Sequence, residues 1–159
     1  MKQYINTKVI KVTSPDQLAA VEKVRYEVFC VEQGRPNTDD GSDDIADIWF
    51  VTCDEVLEDT ILRKDVVIGT VRLVPKPDNS SRLGRLVVSK DARGQNVGKL
   101  LMEVAKKEAH SKGYESIYLH SQVEKQGFYN KMGFFVEEND ADIFDEMGSS
   151  HINLWLRNP

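Results

Sequence analysis

The chain has 159 residues, of which 40% are hydrophobic and 30% are charged, and its 21 basic and 26 acidic side chains give a formal net charge of −5. This length fits one domain, and a domain of about 150 residues buries roughly 70% of the surface of its unfolded chain without disulfides or a metal. The acidic total argues against a dedicated nucleic-acid-binding protein and against a polybasic membrane anchor.

The charge is unevenly distributed along the chain. Between Arg82 and Lys112 there are eight basic and three acidic residues, so this segment carries +5 and the remainder carries −10. A basic segment in an acidic chain favours an anionic ligand near the middle of the sequence, with a solvated lysine-rich helix face as the alternative.

The cysteines and the N-terminus indicate the cellular compartment. Cys30 and Cys53 form no CxxC pair, and the three histidines do not cluster with them, so zinc-ligand spacing is absent. No apolar run reaches the roughly 7 residues of a signal peptide core at the N-terminus, or the roughly 18 of a membrane span elsewhere. We therefore expect a cytosolic protein, or a nuclear one in a eukaryote, with two buried thiols.

The first quarter of the chain predicts a strand, a helix and a loop. Residues 4–12 alternate between polar and apolar as a half-buried strand does. Ser14 is placed as an N-cap, Pro15 as the first helical residue and Gln17 as the partner of a capping box, with the helix running to about Phe29. Residues 34–47 contain five aspartates but no EF-hand pattern, and predict a solvated loop or an acidic lip that attracts a cationic substrate.

The middle of the chain predicts antiparallel strands. Apolar runs at 48–52 and 66–74 are separated by a polar segment, and Pro75 and Pro77 are expected to end the second run. A third run at 83–88 follows a short turn, so hairpins are the simplest connections.

The second half predicts a strand, helix, strand unit with parallel strands. The helix over 97–112 has an apolar stripe and ends at Gly113; the stripe consists of Val97, Leu100, Leu101, Val104, Ala105 and Ala109. Further strands are expected at 117–120, from 134 to 136 and at 152–156, with a short helix over 123–131.

The turn between the 83–88 strand and the long helix is suited to bind a phosphate. The first helical amides lack intrahelical partners and carry the positive end of the helix dipole, while Gly94 and Gly98 give clearance and Arg93 and Lys99 add charge. A Walker A loop is excluded because three residues, rather than four, separate Gly94 from Gly98 and because Leu100 replaces its hydroxyl residue. The GxGxxG dinucleotide pattern is also absent.

Several motifs resemble those of the Gcn5-related N-acetyltransferases (GNAT superfamily). Arg93-Gly94-Gln95-Asn96-Val97-Gly98 is similar to the family's pyrophosphate loop, with Asn96, which tolerates a left-handed conformation, in place of a glycine. Residues 128–134 resemble the FYxxxGF signature. The VFCVEQ segment at 28–33, LGRLVVS at 83–89 and the pair His151-Ile152 resemble the ElaA-like branch.

The resemblance implies an α/β fold over residues 1–159 in a single domain, with a mixed, mostly antiparallel sheet splayed between its fourth and fifth strands. Acetyl-CoA would lie in this gap, with no metal implied. The implied cofactor-binding residues are Leu86, Val87 and Val88, which offer backbone groups, the loop residues Arg93, Gly94, Gln95, Asn96, Val97, Gly98 and Lys99, and the side chains of Gln126 and Tyr129.

The expected chemistry is transfer of an acetyl group to an amine in a ternary complex. An alkylamine with a pKa of about 10 is mostly protonated at neutral pH, so a base must remove a proton before attack. Glu32, His120 and His151 are the candidate bases, and Tyr129 stands where the family has the acid that protonates the leaving thiolate. The alternative function is an acyl-CoA-binding sensor without turnover.

The acceptor is expected to be a small molecule or a protein amine. The acidic runs favour a cationic acceptor, such as a polyamine, an amino sugar or a lysine side chain. No nucleic acid or membrane partner is expected, and both a monomer and a homodimer fit the sequence.

Overall fold

The computed structural model describes residues 1–159 and contains one seven-stranded sheet in the order β1-β2-β3-β4-β5-β7-β6. The strands are β1 (Lys2–Lys11), β2 (Asp47–Leu57), β3 (Thr60–Lys76), β4 (Ser80–Val88), β5 (Ser116–Gln122), β6 (Phe144–Glu146) and β7 (Ser149–Arg157). Only β4 and β5 pair in parallel, and every other pair of neighbours is antiparallel. The predicted mixed, mostly antiparallel sheet is thus confirmed.

Three α-helices flank the sheet: α1 (Pro15–Tyr26), α2 (Val97–Ser111) and α3 (Gln126–Asn130). A π-helical turn, Glu27–Glu32, continues α1. Ser14 accepts a hydrogen bond from the Gln17 amide at 3.3 Å, as predicted for an N-cap. The Gln17 side chain, however, accepts from the amide of Thr13 and not from that of Ser14, so the capping box is displaced by one residue. No helix in the structure combines the length and the apolar character needed to cross a membrane.

The two long helices cover opposite faces of the sheet. Trp49 and Val51 of β2 belong to the main core with α2, whereas Ile48 and Phe50 pack with Val21 of α1. This division follows from the alternation of side chains along a strand. The predicted apolar stripe of α2 is wrong at Leu100, which is 39% exposed; Met102 is fully buried instead.

Two other predicted boundaries require correction. The polar segment after residue 52 is part of a long β2–β3 hairpin, because Glu58 and Asp59 both adopt left-handed backbone angles and form a tight turn. The strand expected at 134–136 is only an isolated bridge between Phe135 and Trp155, and β6 was not predicted at all.

The sheet opens between β4 and β5. These strands pair only at Ser80–Ser116, Ser81–Ile117 and Arg82–Tyr118, although β4 continues to Val88 and β5 to Gln122. Beyond Arg82, β5 remains paired with β7 on its other side. The upper part of β4 therefore has a backbone edge without a strand partner, which is the splay that the resemblance implied.

Candidate functional site

The turn that leads into α2 has the backbone shape predicted for a phosphate loop. Gly94 and Asn96 both adopt left-handed backbone angles, with φ of +82° and +62°. Asn96 is the N-cap of α2 but makes no side-chain cap, so the amides of Val97, Gly98 and Lys99 lack intrahelical partners. Asparagine is one of the few residues that adopt this conformation readily, which explains why it substitutes for glycine here.

α3 packs against the start of α2. A Cβ atom added at Gly98 would lie 3.4 Å from the Phe128 ring. The Phe128 ring in turn meets that of Tyr129 edge to face, with centroids 5.1 Å apart. The FY pair and the phosphate loop, which are far apart in the sequence, therefore lie side by side.

Arg93 is bound by two neighbouring groups. Its guanidinium donates two hydrogen bonds to the Glu32 carboxylate, at 2.6 and 2.7 Å, and its Nε donates to the carbonyl oxygen of Val88 at 3.1 Å. The hydrogen bonds from Arg93 lower the pKa of Glu32 from its ordinary value. Glu32 is thus brought to the phosphate loop and not to the other candidate bases.

A cavity of about 380 Å³, referred to below as the acceptor cavity, lies at the open end of the gap. It is lined from β4 by Leu83 and Leu86, from β5 by Leu119 and His120, from α3 by Tyr129, and from β6 and β7 by Glu146 and His151. Three of the four predicted catalytic residues, Tyr129, His120 and His151, therefore share one cavity.

Tyr129 lines this cavity and is half-buried. Burial raises the pKa of its hydroxyl to about 12, and no hydrogen bond or charge from another residue contributes to this shift. The hydroxyl is consequently protonated at neutral pH and available to donate a proton or a hydrogen bond.

Glu146 joins the two histidines of the cavity. Its Oε1 lies 3.0 Å from Nδ1 of His120, and its Oε2 lies 3.5 Å from Nε2 of His151. The Arg82 guanidinium lies 3.6 Å from the same carboxylate. The hydrogen bond with His120 holds the pKa of Glu146 below its ordinary value, and the charged neighbours outweigh the opposing effect of burial. The carboxylate therefore remains ionised at neutral pH.

The hydrogen-bond partners distinguish the two histidines. His151 is 3% exposed, and its Nδ1 must donate to the carbonyl oxygen of Ser149, 2.9 Å away, since that oxygen only accepts. His120 is more exposed, and its Nδ1 lies 3.0 Å from the Glu146 carboxylate, which only accepts a hydrogen bond, and 3.0 Å from the Arg82 guanidinium, which only donates one. The first contact favours a proton on Nδ1 and the second favours a proton on Nε2. Nε2 of His120 makes no hydrogen bond with the protein and is therefore open to a ligand in the cavity. His120 is the better placed of the two to accept a proton.

Glu146 was missed by sequence reasoning because it belongs to an acidic run that normally indicates a solvated surface. Met147 and Gly148 have left-handed backbone angles and form the tight turn that returns the chain from β6 into β7. The alternation of apolar and polar residues before that turn, which begins at Phe144, was the available signal for a strand.

The remaining candidates lie around the gap. Leu86 lines the acceptor cavity, Val87 is buried, and Val88 has its carbonyl bound by Arg93. Gln95 and Lys99 are exposed on the phosphate loop. The side chain of Gln126 donates to the carbonyl oxygen of Val123 at 2.9 Å and so stabilises the turn before α3.

Comparison with known proteins agrees with this geometry. The profile of the acetyltransferase (GNAT) domain family matches residues 46–136. ElaA of Escherichia coli is 30% identical over 145 residues, covering 89% of this chain and 88% of ElaA, and its crystal structure superimposes with a TM-score of 0.75 over 95% of this chain and 99% of that chain. An acyl-CoA N-acyltransferase structure from Pseudomonas aeruginosa is 26% identical, covers 95% of this chain and 99% of its own, and has a TM-score of 0.77. The chain belongs to the GNAT acetyltransferase family.

Proposed function

We propose that the protein is an acetyl-CoA-dependent N-acetyltransferase that transfers the acetyl group directly to an amine in a ternary complex. The observation that carries this proposal is the arrangement of the β4–β5 gap. One end of the gap meets the free amides at the start of α2, and the other holds Tyr129 and His120 in one cavity. A donor with an anionic end and a reactive thioester end fits this layout.

The residues along the gap fit the parts of acetyl-CoA in order. The amides of Val97, Gly98 and Lys99, with the side-chain charges of Lys99 and Arg93, suit the pyrophosphate. The backbone edge of β4 near Leu86, which has no strand partner toward β5, suits the amide groups of the pantetheine arm. The +5 charge of the 82–112 segment favours such an anionic donor.

The protein's own groups supply the proton transfers. When bound, acetyl-CoA supplies an acetyl thioester, whose C–S bond is exchanged for the C–N bond of the product amide. Nε2 of His120 accepts the proton that the amine loses when the Nδ1 proton is directed at Glu146, whose carboxylate orients the imidazole. The Tyr129 hydroxyl, which its raised pKa keeps protonated at neutral pH, donates its proton to the CoA thiolate that leaves as the C–S bond breaks.

The cytoplasm is the compartment that we propose for this activity. Cys30 and Cys53 are both free thiols, with Cys53 buried and Cys30 half-buried. Free thiols persist in a reducing compartment, and acetyl-CoA chemistry is compatible with it.

The test is to mix the purified chain with acetyl-CoA and a panel of amines and to follow the release of the free CoA thiol. The proposal predicts release that depends on a particular amine, together with calorimetric binding of acetyl-CoA. Calorimetric binding with no release from any amine would instead support a non-catalytic acyl-CoA sensor. Absence of acetyl-CoA binding would contradict both.

A further inference from the structure

A cluster of arginines lies behind the acceptor cavity. Arg25 donates to Asp43 at 2.6 Å, and Arg72 bonds to Asp43 at 3.2 Å and to Asp40 at 2.8 Å. The third arginine, Arg85, forms no salt bridge and no hydrogen bond, although it comes from the strand adjacent to that of Arg72. Arg25 and Arg72 thus share two carboxylates, and the guanidinium of Arg85 has no carboxylate partner.

This cluster has positive charge that the protein does not compensate. Arg25 and Arg72 are 9% and 4% exposed, yet Nε and Nη2 of Arg25 and Nε of Arg72 have no hydrogen-bond partner. Burial, followed by the charge of Arg72, lowers the pKa of Arg85. Buried charges in proteins are normally paired, so an unpaired guanidinium beside a cavity points to a partner that comes from outside the chain.

Arg85 stands where two cavities meet. It lines both the acceptor cavity and a second cavity of about 560 Å³, whose lining includes five basic and three acidic side chains. Arg85 has a left-handed backbone, with φ of +52°, and lies where the register between β3 and β4 shifts. Because of this irregularity, the Arg85 side chain does not follow the regular alternation of side chains along β4.

Arg35 reaches the same junction from the loop that follows the π-helical turn. The guanidinium carbons of Arg35 and Arg85 lie 6.0 and 5.9 Å from the centroid of the Phe29 ring. All three side chains line both cavities. The two guanidiniums therefore converge on one place, at the edge of the cavity that contains His120.

We infer that the acceptor amine carries an anionic group, a carboxylate or a phosphate, which Arg85 and Arg35 bind where the two cavities meet. The amine of the acceptor then lies toward His120 in the acceptor cavity, and the anionic group lies at the arginine pair. This inference rests on the proposed acetyltransferase function. A guanidinium offers two parallel N–H donors that match the oxygens of either anion.

The same geometry weakens the case for a cationic acceptor drawn from the acidic loop. Asp40 and Asp43, which the sequence suggested as part of an acidic lip, are bound to Arg25 and Arg72. These salt bridges offset part of their charge, although the Asp40 side chain is 41% exposed and lines the acceptor cavity beside Asp39.

Matched acceptors test the inference. L-amino acids are compared with their amides, and O-phosphoethanolamine with ethanolamine, with acetyl-CoA as the donor and kcat/KM as the readout. We expect kcat/KM to be at least tenfold higher for the anionic member of one pair. A preference among the amino acids would indicate a carboxylate, and a preference for O-phosphoethanolamine would indicate a phosphate. Equal rates for the members of both pairs would overturn the inference while leaving the acetyltransferase function intact.

Variants of Arg85 connect the preference to this side chain. Arg85→Gln is expected to lower kcat/KM for the anionic acceptor about tenfold through KM, without changing the value for the neutral member. Arg85→Lys should retain part of the preference, and Lys107→Gln, the same charge change at an exposed site on α2, should retain all of it. An unchanged preference in a folded Arg85→Gln protein would contradict the assignment.

Calorimetry measures binding of the anionic group independently of acetyl transfer. The amino acids and O-phosphoethanolamine are titrated into the full chain, with and without CoA. If no amine is acetylated, anion binding that is lost in Arg85→Gln still supports the arginine site, whereas the proposed function fails. No binding of any anionic probe, combined with no anionic preference in turnover, overturns the site.

Discussion

The Nδ1 atom of His120 lies 3.0 Å from the carboxylate of Glu146, although β7 separates the strands that carry them. Two strand spacings amount to about 10 Å, so the side chains must reach toward each other across the face of β7. His151 of β7 lies between them, 3.5 Å from the same carboxylate. The Phe144 ring packs edge-on against His120 with centroids 5.0 Å apart. The orientation of the His120 imidazole is therefore set before any substrate binds.

Removal of the His120 imidazole is expected to reduce kcat roughly 100-fold, the lower end of what a general base contributes. His120→Ala should leave the KM for acetyl-CoA unchanged, because the side chain faces the acceptor end of the gap. Added imidazole should restore part of the rate by entering the space that the side chain vacates. His110→Ala, which changes an exposed histidine on α2, is the matched control. A rate for His120→Ala within threefold of the wild type would exclude His120 as the base.

Replacement of Glu146 by glutamine is expected to lower kcat about tenfold. The factor should be the same at every pH from 6 to 9. The hydrogen bond from His120 lowers the pKa of Glu146, so this carboxylate is already ionised throughout that range and does not itself titrate there. The measurement is log kcat against pH for both proteins, and Glu146→Asp should recover part of the loss. A difference between the two curves that changes steadily with pH would show that Glu146 exchanges protons with the reaction.

Tyr129→Phe should reduce kcat roughly 100-fold without changing the thermal stability by more than about 1 °C. The stability prediction follows because the hydroxyl makes no hydrogen bond with the protein, so its loss leaves no other group unsatisfied. An unchanged melting temperature together with a lower kcat would show that the Tyr129 hydroxyl acts in proton donation and not in packing. Phe128→Leu, which alters the neighbouring ring, should instead lower stability, since Phe128 packs on Gly98.

Glu32→Gln is expected to strengthen acetyl-CoA binding by up to about fivefold and to leave kcat unchanged. Arg93 would no longer have to leave a carboxylate in order to reach a pyrophosphate, and the effect is small because an exposed ion pair is largely screened by solvent. Arg93→Gln should weaken binding. Calorimetric titration of acetyl-CoA measures both effects. A tenfold fall in kcat for Glu32→Gln would return Glu32 to the role of base.

The sequence was sufficient to predict the backbone shape of the turn before α2 and the pairing of β4 with β5. Gly94, Asn96 and Gly98 are required by local backbone geometry, which a short motif can encode, and the structure shows the left-handed angles at Gly94 and Asn96. The strand, helix, strand order likewise predicted the parallel β4–β5 pair because such connections are nearly invariant in hand and direction.

The acceptor side was not predictable to the same degree because it is assembled from distant segments. Glu146 meets His120 only after β6 folds back onto β7, and no local pattern relates the two residues. Arg25, Arg72 and Arg85 come from α1, β3 and β4, so their clustering depends on how α1 packs on the sheet. The sequence motif alone suggested Glu32 as a catalytic base. In the structure, the π-helical turn directs its side chain toward Arg93.

Asp43 is expected to make the fold sensitive to acid. Burial would raise the pKa of this carboxyl, but the hydrogen bonds and charges of Arg25 and Arg72 outweigh burial and lower it. A carboxyl with a depressed pKa in the folded state contributes its full stabilisation above its unfolded value of about 4 and loses it as the pH falls further. The free energy of unfolding should therefore decrease as the pH drops from about 4 to 2.

Asp43→Asn should lower the free energy of unfolding at pH 7 by about 3 kcal/mol, because Arg25 loses its carboxylate and Arg72 keeps only Asp40. The variant should also show a shallower loss of stability below pH 4, since the titrating group is gone. Urea unfolding of both proteins at pH 7 and pH 3 measures the two effects. Asp142→Asn, the same change at an exposed loop position, should reproduce neither of them. A variant that retains the wild-type difference between pH 7 and pH 3 would place the acid sensitivity on other carboxyl groups, such as Asp40, whose pKa is also lowered.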